Sequence, residues 1–218
     1  MIQPLLIFTH IPKCGGSSIR ESVRSKLGDR LLAAYSKEEK EVVRRSPLEA
    51  LRGKSALFGH FEFPVLNRFL DAASYFTVIR DPVDRFISDL SYHRWNQNAA
   101  QHTLIKPLSD RAALTVLLSG PRGSNVLTNY FGRPGNVTAA FQVACQHYKH
   151  IGHVENIRET FSWLAKNGYS DGEEMKVNDA KDGYQVSLAD RAFIRSHLYE
   201  DLKLHDLLIA NFCNRNGG

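Results

Sequence analysis

The stretch His10-Ile11-Pro12-Lys13-Cys14-Gly15-Gly16-Ser17-Ser18 decides the fold of this 218-residue chain. It follows the continuous apolar run Leu5-Leu6-Ile7-Phe8. After it, apolar residues recur at helical spacing, at Ile19, Val23 and Leu27. This order predicts a buried strand, a loop and a helix, which is the opening of an α/β sheet.

The rest of the chain continues this alternation. Further strand candidates lie at residues 56–58, 75–79 and 150–154. Helical patterns occupy residues 82–95, 110–118, 137–148 and 157–166, and two more helices are expected within 188–212. Strands that alternate with helices predict an α/β three-layer sandwich with a mostly parallel central sheet, which we expect to form one domain over residues 1–218.

Composition narrows the class of protein. Lys and Arg exceed Asp and Glu by 28 to 23, a formal charge of +5, which favours phosphate-bearing or polyanionic ligands but also fits an ordinary solvated surface. The three cysteines are too widely spaced for a disulfide framework or a zinc site, which predicts a reducing compartment. No signal-peptide pattern and no run of about 18 apolar residues is present, so we expect a cytoplasmic protein without a membrane span.

The loop between the first strand and helix has the chemistry of an anion site. Glycines let the backbone approach an oxyanion, the helix N-terminus offers free N–H groups, and Lys13, Ser17 and Ser18 add a charge and two hydroxyls. A glycine turn with a serine cap is the simpler alternative. A nucleoside-triphosphate loop would place lysine after the last glycine, whereas Lys13 precedes Gly15 and Gly16, which argues against a kinase or ATPase.

The same string resembles the 5′-phosphosulfate loop of sulfotransferases that use 3′-phosphoadenosine 5′-phosphosulfate (PAPS), above all the carbohydrate enzymes similar to heparan-sulfate 2-O-sulfotransferase. Cys14 stands where that family usually has threonine. The resemblance implies a sulfotransferase fold and a phosphosulfate site made of Lys13, Cys14, Gly15, Gly16, Ser17 and Ser18.

A second segment, Ile79-Arg80-Asp81-Pro82-Val83-Asp84-Arg85-Phe86-Ile87-Ser88, resembles the 3′-phosphate motif of the same family. Asp81 can cap a helix that begins at Pro82, and Ser88 would lie about two turns into it. The resemblance implies that Arg80 and Ser88 bind the 3′-phosphate. Taken alone, this segment is also compatible with a plain helix N-terminus and a surface charge at Arg85.

Gly59-His60-Phe61 lies between the two phosphate motifs and resembles the segment that supplies the general base in the 2-O-sulfotransferase-like enzymes. A histidine that titrates near 6.5 can accept the proton of an attacking alcohol. We therefore expect His60 to be the catalytic base and Lys13 to stabilise the leaving group. Among the nine histidines, His10 is expected to orient the loop, His93 to line the acceptor cleft and His153 to be structural.

The expected function is transfer of a sulfuryl group from PAPS to an acceptor hydroxyl, with adenosine 3′,5′-bisphosphate (PAP) as product and no metal. The resemblance implies a carbohydrate acceptor, and a small-molecule acceptor stays open. No nucleic-acid-binding motif is present. Weaker resemblances are Asn125-Val126-Leu127-Thr128-Asn129-Tyr130-Phe131, Ile151-Gly152-His153-Val154-Glu155 and a possible third nucleotide contact at Lys176-Val177-Asn178.

Two other functions stay open at this point. They are a small-molecule kinase with a P-loop-like site and a non-catalytic polyanion-binding module. Related animal enzymes are Golgi proteins with an N-terminal anchor, and the lack of an anchor pattern here predicts a bacterial cytoplasmic enzyme or a trimmed catalytic domain.

Overall fold

The structure, a computed structural model, describes residues 4–65, 73–120, 123–173 and 186–213. Its sheet has five strands, and every pairing between neighbours is parallel. The strand order is β2-β3-β1-β4-β5. The strands are β1 (Leu5–Thr9), β2 (Leu31–Ala33), β3 (Ala56–Gly59), β4 (Ala73–Ile79) and β5 (Tyr148–His153). The predicted parallel sheet is confirmed.

The helices in the described ranges connect these strands and extend beyond them. They are α1 (Gly16–Leu27), α2 (Lys37–Arg45), α3 (Pro47–Ala50), α4 (Pro82–Trp95), α5 (His102–Ile105), α6 (Asp110–Leu118), α7 (Val126–Tyr130), α8 (Val137–His147), α9 (Ile157–Lys166), α10 (Leu188–His197) and α11 (Tyr199–Leu208). Short 3₁₀ turns follow α1 and β5, and a π-helical turn over Ile209–Cys213 follows α11.

Both faces of the sheet are covered, because alternate strand residues are apolar on each side. On one face Leu6, Phe8 and Phe76 pack with apolar residues of α1 and α9. On the other, Ile7 and Tyr75 pack with residues of α7, α8 and α11. Helices on both faces of a parallel sheet make the three-layer α/β sandwich that the alternation of strands and helices predicted.

Most predicted elements coincide with observed ones, and α6 and α9 have the bounds that the helical pattern gave. The sequence pattern did not predict β2, α5 or α7. β2 has only three residues, too few to show a period of two, and α7 has only five, too few to establish a helical period. Residues 176–178 lie outside the described residues. In the part of the chain that is described, no helix is long and apolar enough to cross a membrane.

Candidate active site

The predicted site residues meet at one edge of the sheet. β1 lies between β3 and β4, so the segments that leave the carboxyl ends of these strands are neighbours. The register pairs Thr9 with Gly59, and Ile79 with His153. The phosphate loop after β1, His60 after β3 and Arg80 after β4 are therefore side by side. Ligands of open α/β sheets bind at this edge.

The backbone of the loop fits an anion. Lys13 and Gly15 have positive φ values, 69° and 74°. Residues in this left-handed conformation within a turn direct successive backbone N–H groups into one concavity. α1 begins directly after Gly15, its N-cap makes no side-chain hydrogen bond, and its first turn contains no acidic residue. The first N–H groups of α1 and its positive dipole end thus face the loop.

Gly16 is required by a neighbouring ring. A Cβ atom at this position would overlap the imidazole of His10. That imidazole is buried and stacks on Phe8, with ring centroids 5.3 Å apart. His10 therefore closes the inner side of the loop and fixes the second glycine of the motif, in agreement with its expected role in orienting the loop.

His60 is held in one tautomer. Its Nδ1 lies 2.7 Å from the backbone carbonyl oxygen of His10. A carbonyl oxygen only accepts hydrogen bonds, so Nδ1 carries the proton and the lone pair of the neutral ring is on Nε2. The imidazole is half-buried. This is the tautomer in which Nε2 can take a proton from an acceptor hydroxyl.

Two rings, those of Tyr35 and His10, lie against the base. The Tyr35 hydroxyl lies 3.0 Å from His10 Nδ1. The ring centroids of Tyr35 and His10 are 5.0 Å and 4.5 Å from that of His60. Burial, together with the neighbouring charges of His60, Arg20 and Lys13, holds the pKa of His10 well below its usual range, so His10 is neutral beside the base.

Tyr35 and Arg20 were not found from the sequence. Tyr35 comes two residues after the missed strand β2, and Arg20 lies on α1 with its guanidinium carbon 5.1 Å from the centre of the Tyr35 ring. Burial raises the pKa of Tyr35 to about 12, so its hydroxyl stays protonated at neutral pH. Nothing local in the sequence marks either residue as part of a site.

Lys13 lies on the other side of the loop, toward α4. Its Nζ is 4.4 Å from the centre of the Tyr92 ring, a cation–π contact that the sequence did not predict. Burial lowers the pKa of Lys13, the Asp89 carboxylate acts in the opposite direction, and Arg80 adds to the lowering. Lys13 therefore lies close enough to both Arg80 and Asp89 for their charges to act on its ammonium group.

Arg80 leaves the end of β4 and is half-buried. Asp81 caps α4 as expected, accepting hydrogen bonds from the backbone N–H groups of Val83 at 2.9 Å and Asp84 at 3.0 Å. Ser88 lies on α4 and is also half-buried. The structure brings Arg80 close to Lys13 and sets Ser88 two turns along the next helix, and it shows no direct contact between Arg80 and Ser88 within the described residues.

Two sequence interpretations on α4 were wrong. Arg85 is not a surface charge, because only 5% of it is exposed. His93, expected to line the acceptor cleft, is 1% exposed, and its Nε2 lies 3.7 Å from the equally buried Asp89. Segments outside α4 cover both side chains. Arg85 is near Asp201 of α11, and Nδ1 of His93 accepts a hydrogen bond from the backbone N–H of Gln101, directly before α5.

His153 lies at the end of β5 and agrees with its expected structural role. Its Nε2 is 3.3 Å from Nε2 of His205 on α11, and its Nδ1 accepts from the backbone N–H of Glu155. Burial and His205 lower the pKa of His153. Within the described residues, no three His, Cys, Asp or Glu side chains form a group that could hold a metal ion.

Comparison with known proteins gives structural neighbours and no sequence relatives. No family model matches the chain, and no curated protein matches it. Mouse sulfotransferase SULT7A1 complexed with PAP is similar with a TM-score of 0.49 and 15% identity, over 90% of this chain and 63% of that one. Retinol dehydratase with androsterone and inactive cofactor PAP is similar with a TM-score of 0.42 and 13% identity, over 96% of this chain and 65% of that one. The complex of retinol dehydratase with retinol and PAP has a TM-score of 0.40 and 14% identity, over 100% of this chain and 68% of that one. The chain thus spans less than two thirds of the length of the first two.

Proposed function

We propose that this protein is a sulfotransferase that moves the sulfuryl group of PAPS to an acceptor hydroxyl, with His60 as general base. The observation that carries the proposal is the meeting, at one edge of the sheet, of an anion-binding loop, a cationic strand end and a histidine whose tautomer is fixed. The two phosphate motifs resemble those of PAPS-dependent enzymes, and the geometry fits the roles that this resemblance implies.

The donor would lie across β1 and β4. The N–H groups of the loop and of the first turn of α1, with Ser17 and Ser18, would bind the 5′-phosphosulfate. Arg80 and Ser88 would bind the 3′-phosphate, where a guanidinium can donate two parallel hydrogen bonds. The residues fit this group because the positive φ values of Lys13 and Gly15 direct N–H groups of the loop into one concavity, and no acidic side chain lies in the first turn of α1.

The chemistry follows from the placement of two side chains. As the acceptor oxygen forms its bond to sulfur, Nε2 of His60 takes the hydroxyl proton, and the bond from sulfur to the bridging phosphate oxygen breaks. Negative charge grows on that oxygen as PAP departs. Lys13 and the N-terminus of α1 stabilise this charge, which is the part of the reaction where fixed donors contribute most.

We further propose that the acceptor is a carbohydrate, because the loop and the Gly59-His60 segment resemble those of carbohydrate sulfotransferases more than other members of the superfamily. Fold alone does not determine an acceptor. The acceptor class therefore rests on these motifs and on the residues beside His60.

Isothermal titration calorimetry with PAP tests the donor site, with adenosine 5′-monophosphate and ATP plus magnesium as parallel ligands. We expect micromolar binding of PAP and at least tenfold weaker binding of the monophosphate, because the latter lacks the 3′-phosphate. Tighter binding of magnesium-ATP would instead favour a kinase. Strongly salt-dependent binding of polyanions without any binding of PAP would favour a non-catalytic module.

Replacing Arg80 by alanine should weaken PAP binding by roughly 10- to 100-fold, the range expected for a lost charge-assisted hydrogen bond. Binding of adenosine 5′-monophosphate should change much less. Arg52→Ala is the matched control, since Arg52 is an exposed arginine in the turn after α3. An unchanged dissociation constant for PAP in Arg80→Ala would rule out this 3′-phosphate assignment.

A further inference from the structure

The acceptor side of the site can be located from the strand order, on the premise of the function proposed above. The donor spans the loop after β1 and Arg80 after β4, while His60 follows β3 on the opposite side of β1. The acceptor hydroxyl must lie between the sulfuryl group and His60. The rest of the acceptor therefore extends over β3 and β2, away from the nucleotide.

On that side Tyr35 contacts the base, and Arg20 contacts Tyr35. Tyr35 presents its ring to His60 edge to face, at an interplanar angle of 86°. The Arg20 guanidinium lies over the Tyr35 ring. One six-membered ring thus separates the base from a cation, and a sugar ring or a phenol ring has the same span.

The cation is oriented rather than free in solvent. Arg20 is 28% exposed, and its Nε donates to Glu21 at 3.0 Å, while the same carboxylate oxygen accepts from Arg24 at 3.4 Å. One carboxylate shared by two guanidiniums leaves this cluster with a net positive charge. The positive charge of Arg20 acts on the residues beside the base, because it contributes to the lowered pKa of His10.

We propose that Arg20 recognises an oxyanion on the acceptor, so that the preferred acceptors are hydroxyl compounds with a carboxylate, sulfate or phosphate about one ring away from the reacting hydroxyl. The planar guanidinium suits such a group, because it can donate two hydrogen bonds to one oxyanion. Arg20 is in this account a specificity-determining residue and takes no part in proton transfer.

Matched acceptors test the proposal on the protein saturated with PAP or PAPS. One pair is methyl glucopyranosiduronate and methyl glucopyranoside, and the other is 4-hydroxyphenylacetate and 4-hydroxyphenylacetamide. Binding is measured by ligand-observed NMR on the PAP complex, and KM by transfer of radiolabelled sulfate from PAPS. In the unmodified protein the anionic member of a pair should bind at least tenfold more tightly than the neutral one, the range for a hydrogen bond between charged groups.

Arg20→Gln should abolish this preference by weakening only the anionic member, and Arg20→Lys should keep part of it. Arg45→Gln is the control with the same loss of charge, because Arg45 is 77% exposed on α2 and pairs with Glu41 as Arg20 pairs with Glu21. PAP binding should be the same in all of these variants.

Three results would overturn the proposal. They are equal binding of the two members of each pair, a preference that survives in Arg20→Gln, and a lack of binding of both anionic probes by a protein that binds PAP. The last result separates the two proposals, since PAP binding would still support the donor site. Failure of the unmodified protein to bind PAP would refute the proposed function itself.

Discussion

Replacing Gly16 by alanine adds a single methyl group where the loop meets the imidazole of His10, which lies against the base His60. Gly16 has no positive φ, so the substitution introduces no backbone strain. The new Cβ would overlap the imidazole of His10, and the effect is therefore purely steric.

The His10 ring has no room to move away. It stacks on Phe8, its centroid is 4.5 Å from that of His60, and its Nδ1 is bonded to the Tyr35 hydroxyl. Adding a methyl group to such a packed cluster costs about 1–3 kcal/mol. For a domain of this size, each kcal/mol lowers Tm by about 2–4 °C, so Tm should fall by about 2–12 °C.

The activity should fall further than the stability. A displaced His10 moves the carbonyl that fixes the tautomer and position of His60, and a misplacement of about 1 Å at a reacting group can cost about 100-fold in rate. We therefore expect a loss of at least about 100-fold in kcat for sulfuryl transfer at a temperature where the variant is folded.

Thermal unfolding followed by circular dichroism and the transfer rate from labelled PAPS are the two measurements. Gly120→Ala is the control, because a Cβ there would meet only carbonyl oxygens at 3.5 Å and 3.6 Å, an ordinary contact. A Gly16→Ala variant with unchanged Tm and kcat would refute the packing of His10 against the loop and the coupling between the loop and the base.

Three further predictions concern single groups. His60→Ala should lower kcat by about 100- to 10,000-fold while the PAP dissociation constant stays within about twofold, and a normal rate would remove His60 from the mechanism. In the native protein, iodoacetamide should modify the exposed Cys145 long before the buried Cys14, whose thiol pKa burial raises to about 12, as peptide mass spectrometry can show; equal rates would mean that Cys14 is accessible. Burial lowers the pKa of His150 from 6.5 to about 4, so the contribution of its neutral ring to stability is complete above pH 6.5 and is lost as pH falls toward 4. His150→Gln should therefore make Tm depend less on pH over this interval, whereas replacement of the exposed His197 by Gln should leave the pH dependence unchanged. Equal slopes of Tm against pH in the two variants would contradict the burial of His150.

The parts of the fold that the sequence predicted are the ones with local causes. The apolar run of β1, the Asp81-Pro82 start of α4 and the helical periods of α6 and α9 are readable within about ten residues. The three residues of β2 form a strand only because they pair with Leu57 and its neighbours in β3, and no short window contains that information.

The same division applies to the candidate site. The sequence indicated Lys13, His60 and Arg80 through motifs, because each follows a strand that could be recognised. It did not indicate Tyr35 or Arg20, whose proximity to His60 depends on the packing of β2 beside β3. Nor could it show the burial of α4 residues, which depends on the contacts of α4 with α5, α10 and α11.

Cys14 replaces the threonine that is usual in the phosphosulfate loop, and the structure shows where its side chain lies. In the sequence it counts against the resemblance, because the usual threonine would offer a hydroxyl to the ligand. In the structure its side chain is 1% exposed and belongs to the apolar cluster beneath the sheet edge, with Sγ 3.7 Å from the Pro12 carbonyl oxygen. A side chain at this position cannot face a bound phosphate. Cysteine is therefore compatible with the packing of the loop, and the missing threonine hydroxyl does not count against an anion site there.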